Sequence, residues 1–133
     1  MRGVVELFLR ADPTRCFDAF CDAAAARRWV PGLKKANVVR RDADGHPLEV
    51  MYEFGDALSY ALVYAYDVAA LKVRWVPSSG AMDAVSGHAQ FVPAEGGCTM
   101  RYSIDSVRGR SGGHDTAVAE AFVEWMHRGA QAR

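Results

Sequence analysis

Between Lys34 and Val107 apolar and polar residues alternate in short runs, and turn chemistry cuts the runs at Asp44-Gly45, Gly55-Asp56, the Pro77 to Gly80 cluster and Gly96-Gly97. A period of two is the signature of strands with one face buried. The runs near 34–41, 47–54, 58–68, 71–76, 82–92 and 98–107 therefore predict six strands in a meander. An earlier strand is read from Val5, Leu7 and Leu9, which alternate with Glu6, Phe8 and Arg10. One long helix follows the last strand, roughly Asp115 to Gln131. The apolar face of such a helix must lie on something apolar.

The segment after the first strand supports the same layout. Asp12 precedes Pro13, an N-cap followed by proline at the first helical position, which predicts a short helix carrying Phe17 and Phe20. Asp22 is read as the cap of a second short helix running through the alanines to Trp29, where Pro31 and Gly32 stop it. On the long helix, Glu120, Glu124, His127, Arg128 and Gln131 share one side, and Val118, Phe122, Trp125, Met126 and Gly129 lie opposite.

Composition excludes several classes. A chain of 133 residues fits one domain, 1–133, and half of its residues are hydrophobic with 24% charged, so disorder is excluded. Sixteen basic and sixteen acidic side chains cancel, which argues against nucleic acid as a partner. No stretch approaches the roughly 18 apolar residues of a membrane span, and nothing near the N-terminus reads as a leader. Cys16, Cys21 and Cys98 form an odd set without a C-x-x-C pair, which fits a reducing compartment, so a cytoplasmic location is expected. Combined with His46, His88, His114 and His127 they show none of the paired spacings of a zinc site, so neither metal nor other cofactor is expected.

The order of elements and two local motifs carry a resemblance. Ala26-Arg27-Arg28-Trp29-Val30-Pro31-Gly32-Leu33 looks like a "W-x-P-G" element, and Val85-Ser86-Gly87-His88-Ala89-Gln90-Phe91-Val92-Pro93 resembles a "G-x-W-x-F-x-P" strand, followed by Gly96-Gly97-Cys98-Thr99-Met100. Together they resemble the START-like (SRPBCC) superfamily of polyketide cyclase/dehydrases, Bet v 1-like lipid binders and coenzyme-Q-binding proteins. That resemblance implies an α+β helix-grip fold: a curved antiparallel sheet of about seven strands (β-α-α-β6-α) wrapped around a long C-terminal helix, with an apolar cavity between the two.

Strand parity indicates what such a cavity would present. Leu48, Val50, Tyr52 and Phe54 oppose Glu49, Met51 and Glu53; Val73 and Trp75 oppose Lys72 and Arg74; Met100, Tyr102 and Ile104 oppose Arg101, Ser103 and Asp105. Leu58, Tyr60, Leu62, Tyr64 and Tyr66 share a face, as do Val85, Gly87, Ala89 and Phe91, with His88 opposite. If the bulky apolar set faces the helix, all five tyrosines point inward and no carboxylate, lysine or histidine of the strands does. Candidate ligand contacts are then Tyr52, Phe54, Tyr60, Tyr64, Trp75, Phe91 and Tyr102 from the strands and Trp29 from the second helix, with Phe122, Trp125 and Met126 from the long one.

Catalytic signals are scarce. No Ser-His-Asp order, G-x-S-x-G elbow or H-E-x-x-H pair occurs, His88 points outward, and His46 sits in a turn. No catalytic residue is assigned; only the tyrosines and Asn37 remain as groups able to polarise a carbonyl. The glycine-rich Gly109 to Gly113 lacks the lysine and spacing of a P-loop and reads as a connection. Arg27, Arg28, Lys34, Lys35, Arg40 and Arg41 form a block without an acid, and Asp42, Asp44, Glu49, Glu53, Asp56 and Asp67 form the opposite block. Arg27, Arg28, Lys34 and Lys35 beside Trp29, Val30 and Leu33 would suit an anionic membrane surface, or else pair with acids across neighbouring strands. Binding of a small hydrophobic molecule (lipid, quinone or polyketide-like) is the favoured expectation. A polyketide cyclase, aromatase or dehydratase using the tyrosines is the first alternative and a co-chaperone-like interaction module the second.

Overall fold

Asp12 ends the first strand, β1 (Val5–Leu9), and starts the first helix, α1 (Pro13–Phe20). Its carboxylate accepts the Arg15 N–H at 3.1 Å, and Pro13 occupies a position where a missing N–H costs nothing. Asp22 behaves differently from expectation. It accepts the N–H of Ala24 at 3.0 Å in a local turn, and the second helix, α2 (Ala26–Trp29), begins only after Ala25 without a side-chain cap. A short aspartate side chain readily bonds its own backbone two residues on, which here competes with helix initiation.

Residues 4–55, 59–78, 85–106 and 114–131 are described in a computed structural model of the chain. The remaining strands are β2 (Leu33–Arg41), β3 (Pro47–Phe54), β4 (Ser59–Asp67), β5 (Lys72–Pro77), β6 (Val85–Ala94) and β7 (Gly97–Ser106), and α3 (His114–Gln131) is the long helix. Leu58, Asp56 and the Gly109 to Gly113 connection lie outside the described residues. Among the described residues, no helix is long and apolar enough to cross a membrane.

All seven strands form one antiparallel sheet in the order β1-β7-β6-β5-β4-β3-β2. The first two strands in sequence therefore occupy opposite edges. α1 and α2 carry the chain between those edges across one face, and the meander β2 to β7 brings it back. α1 rests on β6 and β7, α2 on β2 and α3, and α3 on β1 and β7; among the described residues none of these helices packs extensively on β3, β4 or β5. One end of the sheet is thus roofed by α1 and α3, and the other by the segment that links α1 to α2.

The end under α1 and α3 is solid. Leu9, Cys16, Phe17, Phe91, Cys98, Met100, Ala119 and Phe122 are essentially inaccessible to solvent. Gly97 makes this closeness possible, because a Cβ there would stand 1.9 Å from the Leu9 carbonyl oxygen. The thiols of Cys16 and Cys98 meet in this core with their Sγ atoms 3.7 Å apart, joining α1 to β7. Burial pushes the Cys16 thiol up to about 12 and raises that of Cys98, so both stay protonated at neutral pH.

Candidate functional site

Alternation along β3, β4 and β5 places Val50, Tyr52 and Phe54, then Tyr60, Leu62, Tyr64 and Tyr66, then Val73 and Trp75 on one face. These residues line a cavity of about 120 Å³. Tyr102 and Ile104 from β7 close one side, and Phe20, Cys21, Asp22, Ala23, Ala26, Trp29, Val30 and Pro31 of the α1–α2 segment form the roof. The exposed Asp22 and Pro31 mark the mouth. Of the described α3 residues, only Val118 reaches the lining.

Parity fails at one point. Val38 pairs with Val50 but Arg41 pairs with Pro47, so the β2–β3 register shifts twice over this stretch. The irregularity puts Pro47 rather than Leu48 into the cavity wall. A bulge adds an unpaired residue and reverses the facing of everything beyond it, which alternation alone does not reveal.

Of the residues expected to meet a ligand, Trp29, Tyr52, Phe54, Tyr60, Tyr64, Trp75 and Tyr102 border the cavity. Phe91 of β6 and Phe122, Trp125 and Met126 of α3 do not; they lie where α3 packs against the rest of the chain. The Phe20 ring is the reason. Its centroid lies 5.3 Å from Phe122, 5.4 Å from Trp29, 5.8 Å from Phe91 and 6.0 Å from Trp75, so it plugs the space between α3 and the sheet. Phe91 and Phe122 have no exposure, their rings are 5.8 Å apart, and the half-buried Trp125 sits 5.9 Å from Phe122. The expected cavity between sheet and C-terminal helix is therefore displaced toward β3–β5, where no helix fills the inner face.

Several lining residues went unselected in the sequence. Tyr66 shares its parity with Tyr60 and Tyr64 and was recoverable from that signal. Cys21, Asp22, Ala23 and Ala26 were not, because a turn between two short helices has no periodicity to read. Asn37 is exposed on β2 opposite Met51 and takes no part in the cavity.

The polar groups of the cavity are almost all phenols. The Tyr52 and Tyr64 hydroxyls are hydrogen-bonded to each other, and the Tyr66 hydroxyl donates to the Pro47 carbonyl. His46 stacks on the Tyr66 ring, with centroids 4.8 Å apart. Burial pushes the Tyr52 and Tyr60 phenols up to about 12 and raises Tyr64 well above its ordinary value, and Tyr66 is raised for the same reason. All four stay neutral hydroxyls near pH 7. Burial likewise pushes the Cys21 thiol up to about 12. The Trp29 residue is 8% exposed, and its indole N–H has no acceptor among the described residues.

The cationic block divides. Arg40 pairs with Glu49 at 3.0 Å across β2 and β3, and Arg41 donates to the Gly45 carbonyl at 2.9 Å. Arg27, Arg28, Lys34 and Lys35 are exposed and make no ion pair among the described residues. In the β2–β3 turn, Asp42 accepts the N–H groups of Asp44 and His46 at 2.9 Å each, so its carboxylate organises the turn. His127 accepts the backbone N–H of Arg10 at 3.2 Å, away from the cavity.

No protein-family model matches the sequence, and no curated protein matches it. Solved structures do. A Thermus thermophilus protein, TTHA0849, aligns at a TM-score of 0.75 with 15% identity over 93% of this chain and 95% of its own. A START superfamily protein from Mycobacterium smegmatis aligns at 0.69 with 14% identity over 99% and 95%. The di-domain ARO/CYC StfQ from the steffimycin biosynthetic pathway aligns at 0.73 with 11% identity over 98% of this chain and 46% of its own. At these identities the likeness concerns architecture, and the architecture is the α+β helix-grip fold of START-like proteins.

Proposed function

We propose that this chain binds a small hydrophobic molecule in the cavity under β3, β4 and β5, as a binder rather than a catalyst. One observation carries the reading: all five tyrosines converge on a cavity whose described lining has no lysine, arginine or histidine and only one carboxylate, Asp22 at its mouth. Apolar walls with a few hydroxyls suit recognition of a neutral organic molecule. They do not suit acid–base catalysis near neutrality, since every shifted phenol and thiol in the wall moves away from pH 7. The likeness to a START superfamily protein supports the reading at the level of fold.

Native mass spectrometry after incubation with one-ring, multi-ring and acyl-chain hydrophobic probes tests it. Retention of at least one class at one-to-one stoichiometry is expected, weakened by Trp75→Ala. No retention across all three classes would overturn the proposal.

A second reading, polyketide cyclisation or dehydration, draws on the hydrogen-bonded Tyr52–Tyr64 hydroxyls and on the fold shared with the ARO/CYC protein. Here the tyrosines would polarise a substrate carbonyl. Turnover unaffected by Tyr52→Phe, Tyr60→Phe, Tyr64→Phe and Tyr102→Phe combined would remove it. Arg27, Arg28, Lys34 and Lys35, exposed beside the roof segment and without ion pairs among the described residues, further support delivery at an anionic membrane surface. Sedimentation with phosphatidylserine vesicles, absent with phosphatidylcholine alone and lost on charge reversal of the four, is the corresponding expectation.

A further inference from the structure

One aromatic ring stands between the cavity and the packed core. Phe20, the last residue of α1, is half-buried, and its ring centroid lies 5.4 Å from Trp29, 6.0 Å from Trp75 and 6.2 Å from Tyr102 on the cavity side. On the core side it lies 5.8 Å from Phe91 and 5.3 Å from Phe122, both fully enclosed. The sheet leaves room for such a ring. Ala89, between Gly87 and Phe91 on the inner face of β6, pairs with Val73 of β5 and Tyr102 of β7. Val73 and Tyr102 line the cavity, whereas Ala89 does not border it and yet has no exposure. The Phe20 ring, in contact with Phe91 and Tyr102 beside it, takes the space that this small side chain leaves.

The other walls have less freedom. β3, β4 and β5 are fixed to one another by continuous pairing, and Trp75 packs so closely on Gly87 that a Cβ there would stand 2.8 Å from its ring. At Phe20, by contrast, the boundary is one side chain, and space opens there without moving a strand. The present volume, about 120 Å³, is comparable with the apolar cavity of about 150 Å³ that holds one benzene molecule, so a fused multi-ring skeleton is not enclosed. Removing the Phe20 ring would add a ring-sized void with apolar walls, continuous with the cavity.

Resting on the small-molecule reading above, we infer that Phe20 is the specificity-determining residue for ligand size: its ring limits the enclosed ligand to about one ring, and without it the cavity extends over Ala89 toward Phe122 and accepts a fused two-ring molecule.

Toluene and naphthalene, which carry neither charge nor hydrogen-bonding groups and so report size alone, test this by titration calorimetry and ligand-observed NMR at neutral pH. The unaltered chain should bind toluene about tenfold tighter than naphthalene, and Phe20→Ala should reverse that order through a gain of about tenfold or more for naphthalene, since a misfit of one methylene is already worth about tenfold in an apolar pocket. Should Phe20→Ala fail to fold, Phe20→Leu provides the second reading and should narrow the preference to about threefold or less. Leu9→Ala is the control, because Leu9 is fully buried and does not border the cavity; its toluene preference should be that of the unaltered chain. The same naphthalene gain in Leu9→Ala would show general loosening of the core and overturn the inference. An unchanged preference in both Phe20 variants, or naphthalene bound by the unaltered chain as tightly as toluene, would also overturn it and leave the small-molecule reading standing. Binding of neither probe by any form would overturn it as well, and the small-molecule reading falls with it only if acyl-chain probes are not retained either.

Discussion

The two ends of the sheet are built from the same alternation and reach opposite outcomes. Under α1 and α3, the inner residues of β1, β6 and β7 meet helix side chains and leave no room: Leu9, Phe91, Met100 and Phe122 are fully enclosed. Under the α1–α2 segment, the inner residues of β3, β4 and β5 meet a chain too short and too rich in alanine to fill the space, and the cavity results. Phe20 marks the border, with its ring against Phe122 and Phe91 on one side and Trp75 on the other. An apolar face therefore becomes core or binding wall according to what the rest of the chain lays over it.

The largest effect should separate the two ends directly. Phe122→Ala removes a ring enclosed on all sides and should lower unfolding free energy by about 3–5 kcal/mol. Phe54→Ala, from a half-buried ring at the cavity wall, should lose less than about 2 kcal/mol because part of that ring already faces empty space. Equal losses in denaturant titration would break the comparison. Next is Gly87→Ala at the seam between the ends. The new Cβ would stand 2.3 Å from the Ser103 carbonyl oxygen and 2.8 Å from the Trp75 ring, so either β6 and β7 part or Trp75 turns into the cavity. A loss of about 1–3 kcal/mol is expected, together with weaker probe binding.

A smaller effect should come from Tyr52→Phe, which leaves the Tyr64 hydroxyl without its partner and should cost about 1 kcal/mol. Adding Tyr64→Phe should recover part of that loss, and a double-mutant cycle with no coupling would show that the two hydroxyls act independently.

The last prediction has no effect at neutral pH and appears only in alkali. Cys16 and Cys21 rise from 9.0 to about 12 on folding, and Tyr52 and Tyr60 from 10.0 to about 12. The unfolded chain therefore releases these protons first. Stability should be level below about pH 9, fall as pH rises above it, and keep falling until about pH 12. Three of those four groups belong to the cavity. Cys21→Ser with Tyr52→Phe and Tyr60→Phe should accordingly flatten the alkaline slope more than Cys16→Ala, as followed by unfolding with phenolate absorbance in the near ultraviolet.

Much of this was legible from residue order. The meander, the Asp12-Pro13 helix start, the long final helix and the inward set of five tyrosines follow from period-two and period-3.6 patterns and from turn residues, which act over a few positions. Six strand residues among the eleven candidate contacts border the cavity because parity assigns a side chain to a face, and Trp29 joins them from α2. Neither strand parity nor the helical period says what lies over a face, and for that reason Phe91 on β6 and Phe122, Trp125 and Met126 on α3 fall in the packed half. The shift from Leu48 to Pro47 escaped for a related reason, since a bulge is a property of two paired strands and neither shows it alone.

The sequence by itself determined which elements form and which sides of them are apolar, because local sterics and burial periodicity are written into neighbouring residues. Only the tertiary structure decided that β1 and β2 stand at opposite edges, that α3 covers one end, and that Phe20 seals the border. Those arrangements depend on contacts between residues far apart in the chain, and the empty space left beside them is what remains after every such contact is made.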